Sequence, residues 1–262
     1  MKFQTLFFTL YGDYIINASG TISVKSLIKI MKEFGFSEGA VRAGLFRLKQ
    51  KGLIEMIDKK RCRLSESGLF RLEEGMRRVY DRPNDKWDGK WRIVIYNIPE
   101  NNRSIRDQLR KTLIWLGFGY LTQSVWVSPN PVEDTLKRFI DEIKSKNTEV
   151  EVHMFLAEYI GDPKDIVKKC WNLNDVEKKY KEFIGNWKDL LNSIEKLKPN
   201  EAFITRIRLV HEYRKFLHID PNLPRDLLPE NWIGYEAKSL FQELREKLTP
   251  LSDKFFYSVY EP

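Results

Sequence analysis

Only two cysteines, Cys62 and Cys170, and three histidines, His153, His211 and His218, occur among the 262 residues. The cysteines lie far apart, without Cys-x-x-Cys spacing and with no histidine close to either. A disulfide framework and a zinc site are therefore not expected, and both thiols should be reduced. Long apolar runs are also missing. The run Leu6–Leu10 is interrupted by Gly12 and Asp13 and leads to no small-residue cleavage site, which disfavours a signal peptide. Nothing approaches the length of a membrane span, so a cytoplasmic protein without a membrane role is expected. Internal repeats and low-complexity segments are absent as well.

What is present is positive charge, unevenly placed. Of a net +8, residues 1–65 hold 12 Lys/Arg against 5 Asp/Glu, or +7. Residues 66–90 hold 6 of each sign, residues 91–156 hold 9 against 8, and residues 157–262 hold 18 against 18. Excess positive charge gathered on one segment is what phosphate neutralisation requires. A membrane-surface role would need it on an amphipathic helix with a broad apolar face, a poorer match. The chain is long enough for two or three domains with sizeable cores.

Within the basic segment, Ser37–Leu64 has the grammar of a recognition helix followed by a wing. Ser37 can cap the helix through its hydroxyl. Val41, Leu45, Leu48 and a close-packing Gly44 share one side at helical spacing. Gly39, Arg42, Ala43, Phe46, Arg47 and Gln50 share the other, a mostly small, polar and basic face. Gly52 suits the C-terminal cap. Leu53–Ile57 and Cys62–Leu64 then bracket the tip Asp58-Lys59-Lys60-Arg61 as a short hairpin.

Before this stretch, Met1–Ile16 is expected to be a helix with Phe3, Leu6, Phe7, Leu10 and Tyr14 in one stripe. A second helix, Val24–Phe34, is capped by Ser23, with Leu27, Ile28, Met31 and Phe34 inward. Phe34-Gly35-Phe36 makes the turn of a helix-turn-helix. After the hairpin, Ser65 caps a connecting helix, Glu66–Tyr80, and Asp81–Lys90 reads as a linker. Strand Trp91–Tyr96, helix Arg103–Leu116, strands Gly117–Tyr120 and Ser124–Val127, helix Val132–Lys144 and strand Val150–Phe155 follow, the order of a ferredoxin-like domain. The remainder is helical: Asp165–Cys170, Leu173–Ile184 with a continuation to Leu191, Glu201–Leu217 and Tyr235–Leu248. A proline-interrupted crossing before the last helix carries Leu223, Leu227, Leu228 and Trp232, too apolar for a free linker. The expected class is α+β. It comprises an N-terminal winged helix-turn-helix (1–80), a linker (81–90), a central ferredoxin-like βαββαβ domain (91–160) and a mostly α-helical C-terminal domain (161–262).

These segments together resemble the PaaX family of bacterial transcriptional repressors of phenylacetic acid degradation. The likeness is carried by SLIKIMKEFGFSEGAVRAGLFRLKQKGLI in the first domain and by DGKWRIVIYNIPE, RDQLRKTLIWLGFGYL and SVWVSP in the middle. CWNL and AFITRIRLVHEYRKFLHIDPNLPRDLLPENWIG carry it in the last. The resemblance implies a homodimer that binds a palindromic double-stranded DNA operator and is released by an aryl-acyl-CoA effector such as phenylacetyl-CoA. No cofactor, metal or catalytic residue is expected.

Arg42 and Arg47 are the foremost candidates for reading bases or clamping phosphates, because the guanidinium fork can bond guanine bidentately. The alternative for Arg42 is a surface pair with Glu38 at i, i+4. Ser37 can offer its hydroxyl or N–H to a phosphate; Gly39, Ala43 and Gln50 complete the face. Phe46 either touches a thymine methyl or packs under a neighbouring helix, and the second is expected. Lys59, Lys60 and Arg61 should add phosphate affinity and little sequence reading.

The central domain is also similar to small CRISPR spacer-acquisition nucleases, which makes a metal-dependent nuclease the alternative. There an aspartate ends the first strand, where this chain has Asn97, a poor Mg²⁺ ligand, and neither Glu100 nor Asp107 is an obvious replacement. A scaffold and dimerisation role suits the sheet better. In the helical part, Arg214 falls mid-stripe on Glu201–Leu217 and Arg206 near its edge. With His211 they either meet an anionic group of an acyl-CoA effector or, for the arginines, pair internally with Asp220 or another acid. Trp171, Tyr180, Tyr213 and Trp232 suit either an aryl pocket or core packing.

Overall fold

The structure, a computed structural model, describes residues 1–80, 86–146 and 149–262. Most of the expected linker, 81–85, lies outside them, as do the side chains of Glu74, Arg77–Tyr80 and Lys146. The chain forms two compact units. One comprises Met1–Asp81, Lys181–Lys215 and Tyr235–Pro262; the other comprises Arg82–Tyr180 and Phe216–Gly234.

In the first unit, α1 (Phe3–Leu10) runs through a π-helical turn, Tyr11–Ile15, into a short α2 (Ile16–Ala18). The widened turn places Asp13 and Tyr14 in the interior. Strand β1 (Thr21–Ser23) leads into α3 (Val24–Lys32), whose cap Ser23 accepts from the Ser26 N–H. Ile30, outside the expected stripe, is fully buried with Leu27 and Met31. Helix α4 (Glu38–Gln50) follows after a turn through Phe34–Phe36. It ends as expected at Gly52, whose φ of +67° lets the Leu53 N–H return to the Leu48 carbonyl. Strands β2 (Ile54–Met56) and β3 (Arg61–Leu64) form the hairpin, and β1 adds to it as a third antiparallel strand in the order β1-β3-β2. Sequence patterning missed β1 because three residues are too few to show alternation. Ser65 caps α5 (Glu66–Tyr80) by accepting from the Gly68 N–H.

One apolar cluster ties these elements to residues from the far end of the chain. Phe3, Leu6, Phe7, Leu27, Val41, Leu45 and Leu48 pack with Phe203 and Ile207 of α10 (Pro199–Tyr213) and Phe256 of α11 (Ile233–Val259). Helix α11 was expected to stop at Leu248, before Pro250, but continues past it to Val259. A proline inside a helix costs about 3 kcal/mol. Burial of Phe256 against Tyr14 and Phe203 works against that cost, and the Thr249 and Ser252 hydroxyls bond the Arg245 and Leu248 carbonyls around the proline.

The second unit holds β4 (Trp91–Asn97), α6 (Arg103–Trp115), β5 (Gly119–Thr122), β6 (Val125–Ser128), α7 (Glu133–Lys146) and β7 (Glu151–Ala157). The antiparallel sheet has the order β5-β6-β4-β7, which is the ferredoxin-like arrangement. Val94, Tyr96, Trp126 and Val152 pack with Leu109 and Leu113 of α6 and Leu136 and Ile140 of α7. Ile95, opposite His153, and Phe155, opposite Ile93, stand on the other face, with Ile95 and Phe155 exposed. Arg92 is buried and held by Asp88 at 2.7 Å and Glu133 at 2.6 Å. Helix α8 (Pro163–Cys170) and the start of α9 (Leu173–Trp187) follow.

The proline-rich crossing is ordered, as its apolar content required. Leu223, Leu227, Leu228 and Trp232 are buried. The Asn130 side chain donates to the Pro221 carbonyl at 2.9 Å, and the Tyr180 hydroxyl donates to Asp220. Tyr180 stacks on Phe216 with centroids 4.0 Å apart, Trp171 on Trp91, and in the first unit Tyr213 on Phe241. All four aromatics singled out from the sequence are thus engaged in ring packing, including Trp232 edge-on to Tyr180. Among the described residues no helix is long and apolar enough to cross a membrane.

Candidate nucleic-acid interface

Helix α4 owes its orientation to Gly44. A Cβ built there would stand 2.3 Å from the Phe3 ring, so only glycine lets α1 approach so closely. With Val41, Leu45 and Leu48 drawn into the core, the opposite face is turned outward. Gly39, Arg42, Ala43, Phe46, Arg47 and Gln50 are all exposed along it. Ser37 starts the helix, its hydroxyl accepting from the Ala40 N–H at 3.2 Å.

Phe46 does not pack under a neighbouring helix. Its side chain is 61% exposed, because the inward positions beside it are already filled by Leu45 and Leu48. Arg42 lies 2.8 Å from Glu38, with the two side chains 61% and 59% exposed. Water screens such a pair and leaves it worth well under 1 kcal/mol, so the guanidinium can exchange this partner for a phosphate or a base. Arg47 holds no ion pair among the described residues.

At the hairpin tip, the Asp58 carboxylate accepts from the Lys60 and Arg61 backbone N–H groups at 2.7 and 2.8 Å and from Arg61 Nε at 3.0 Å. These bonds hold its carboxyl below the usual aspartate range, the Lys60 N–H first. The effect is to fix the turn, leaving Lys59 and Lys60 exposed without an ion pair among the described residues.

The candidate effector residues separate. Helix α10 ends at Tyr213, so Arg214 belongs to a following 3-10 turn, Arg214–His218, rather than to the middle of the helical stripe. It donates to the Thr9 hydroxyl at 2.6 Å. Arg206 is the buried one, at 4% side-chain exposure, and lies 3.2 Å from Asp13 and 3.6 Å from Asp253, with its guanidinium 4.4 Å over the Tyr14 ring. Asp13 also receives Arg245 at 2.9 Å. The sequence signal of Asp13 is an acid interrupting an otherwise apolar helix. His211 is half-buried, and its Nδ1 is enclosed without a hydrogen-bond partner. Burial lowers its pKa, and Lys215, Arg214 and the N-terminal amine lower it further. The neighbouring Glu212 carboxylate acts in the opposite direction and is outweighed.

Asn97 ends β4 opposite Glu151. No group of three His, Cys, Asp or Glu placed to hold a metal ion occurs among the described residues. Both cysteines are free, and burial raises their thiols, Cys170 to about 11.

Residues 2–75 match the family model of PaaX-like proteins, residues 84–167 the central Cas2-like domain of PaaX proteins, and residues 171–258 the PaaX-like C-terminal domain. The Transcriptional repressor PaaX of Escherichia coli (strain K12) is 29% identical over 260 residues, covering 96% of this chain and 82% of that relative. The uncharacterized protein Rv0674 from Mycobacterium tuberculosis has a similar fold, with a TM-score of 0.59 and 20% identity over 93% of this chain and 95% of that one. With three successive domains of one family matched in order along nearly its whole length, this chain belongs to the PaaX family.

Proposed function

We propose that this protein is a transcriptional repressor that binds operator DNA through a winged helix-turn-helix, with α4 as recognition helix and the β2–β3 hairpin as wing. The observation that carries the reading is the outward face of α4. It is basic, built on small residues, exposed, and lies in the segment that holds +7 of the net +8 charge. Arg42 and Arg47 contact base edges or phosphates, with Gly39, Ala43 and Gln50 beside them and Ser37 at the helix start. Lys59, Lys60 and Arg61 add phosphate contacts. The E. coli relative, by its name a transcriptional repressor, supports the same reading.

The operator is palindromic and the protein acts on it as a homodimer, for which the open sheet face around Ile95 and Phe155 is a suitable surface. An aryl-acyl-CoA such as phenylacetyl-CoA shifts the dimer away from the geometry that fits two half-sites. The cations around His211, Lys215 and Arg214 among them, are where the anionic end of the effector binds.

Titration of the purified protein against a fluorescent random-sequence duplex at several salt concentrations tests DNA binding. Affinity should fall steeply with salt through counterion release, and a salt-independent signal would refute the reading. A thermal-shift series with phenylacetyl-CoA, free phenylacetate and coenzyme A tests the effector. Only the thioester should raise Tm, by mass action on the native state.

A further inference from the structure

Phe46 is the residue that core packing leaves unexplained. It occupies the middle of α4, 61% exposed, and makes no ring contact among the described residues. It belongs to neither the apolar cluster beneath α4 nor its partly buried fringe. One turn back on the same face lie Arg42 and Ala43, one turn on lies Gln50, and Arg47 is adjacent. The ring therefore stands alone among small, polar and cationic side chains. A docking surface for a protein would surround such a ring with further apolar groups, and none of its neighbours on this face is apolar and large.

A lone apolar group between guanidinium-bearing residues suits the major groove. There the edges are polar except at thymine, whose 5-methyl group is the one apolar feature. We infer that Phe46 is a specificity-determining residue that recognises thymine by covering its 5-methyl group. The inference rests on the reading of α4 as the recognition helix. Gly39 and Ala43 contribute by being short: side chains that end near the backbone leave room for the ring to reach the base edge.

The test removes the methyl and the ring separately. Duplexes enriched by the full-length protein from a randomised pool are resynthesised with each thymine in turn replaced by deoxyuridine, which deletes only the methyl. Wild-type protein should lose about fourfold in affinity at one thymine per half-site, the worth of one apolar carbon returned to water. Phe46→Ala should bind thymine and uracil duplexes equally and select sites degenerate at that position, while Phe46→Leu should keep part of the discrimination. Because the ring is exposed, both variants should unfold at the wild-type Tm. If wild type enriches a motif yet no thymine is methyl-sensitive, or Phe46→Ala keeps the wild-type sensitivity, the Phe46 assignment is wrong while DNA binding stands. If no motif is enriched and binding is insensitive to salt, the DNA reading fails and this inference with it.

Discussion

Arg206 and Asp13 face each other across 3.2 Å with 4% and 1% of their side chains exposed, an ion pair enclosed between α10 and the π-helical turn after α1. Arg245 and Asp253 complete the network with one more charge of each sign. Taking Arg206 away leaves the enclosed Asp13 with Arg245 as a remaining cation, and taking Asp13 away leaves the enclosed Arg206 with Asp253, so the buried charge that stays behind is only partly compensated and sets the cost. Arg206→Ala should lower the unfolding free energy by at most about 3–5 kcal/mol, the cost of a wholly uncompensated buried charge, read from urea denaturation, with Asp13→Asn destabilising in the same direction. Replacing Arg206 and Asp13 together should cost less than the sum of the two single changes.

Gly44→Ala tests the approach of α1 to α4. Alanine in a helix interior gains up to about 1 kcal/mol over glycine, whereas forcing a methyl into filled space costs about 1–3 kcal/mol. With the Phe3 ring at 2.3 Å, the second effect should win and Tm should fall. Phe3→Leu should recover part of the loss. Gly75→Ala in α5, where nothing lies within 4 Å of the added Cβ, should leave Tm unchanged or raise it slightly.

His211 sets a pH dependence. Its folded-state pKa lies below the ordinary 6.5 because of burial and the cations beside it. As pH falls through 6.5 the unfolded chain takes up the proton first, so stability is complete above that value and declines below it. His211→Gln should flatten this part of the stability profile. An anionic ligand held beside His211 should reverse the trend by favouring the imidazolium.

Much of the fold is legible in the sequence because local signals and burial agree. Ser23, Ser37 and Ser65 cap their helices as their positions foretell, and the second unit follows the expected strand and helix order. The failures have physical causes. Pro250 and the cluster at Phe256 compete, and only tertiary packing decides that the helix continues. Arg214 leaves the expected stripe because the chain tightens into a 3-10 turn after Tyr213, whereas Arg206, inside α10, is drawn in by Asp13 and Asp253. Asp13 was unreadable as a partner because Arg206 and Arg245 are distant in sequence. For Phe46 the pattern allowed two environments, and only the filled positions beneath α4 choose between them.

The most direct measurement is a gel-shift titration of an enriched duplex with wild type and with the Arg42→Ala/Arg47→Ala double variant, at matched salt. Both arginines are exposed, so the variant should fold with an unchanged Tm. Binding should weaken by at least one order of magnitude, since a bidentate bond from arginine to a base edge is worth about 1–3 kcal/mol. A folded double variant that shifts the duplex at wild-type concentrations would contradict the assignment of α4 as the DNA-reading helix.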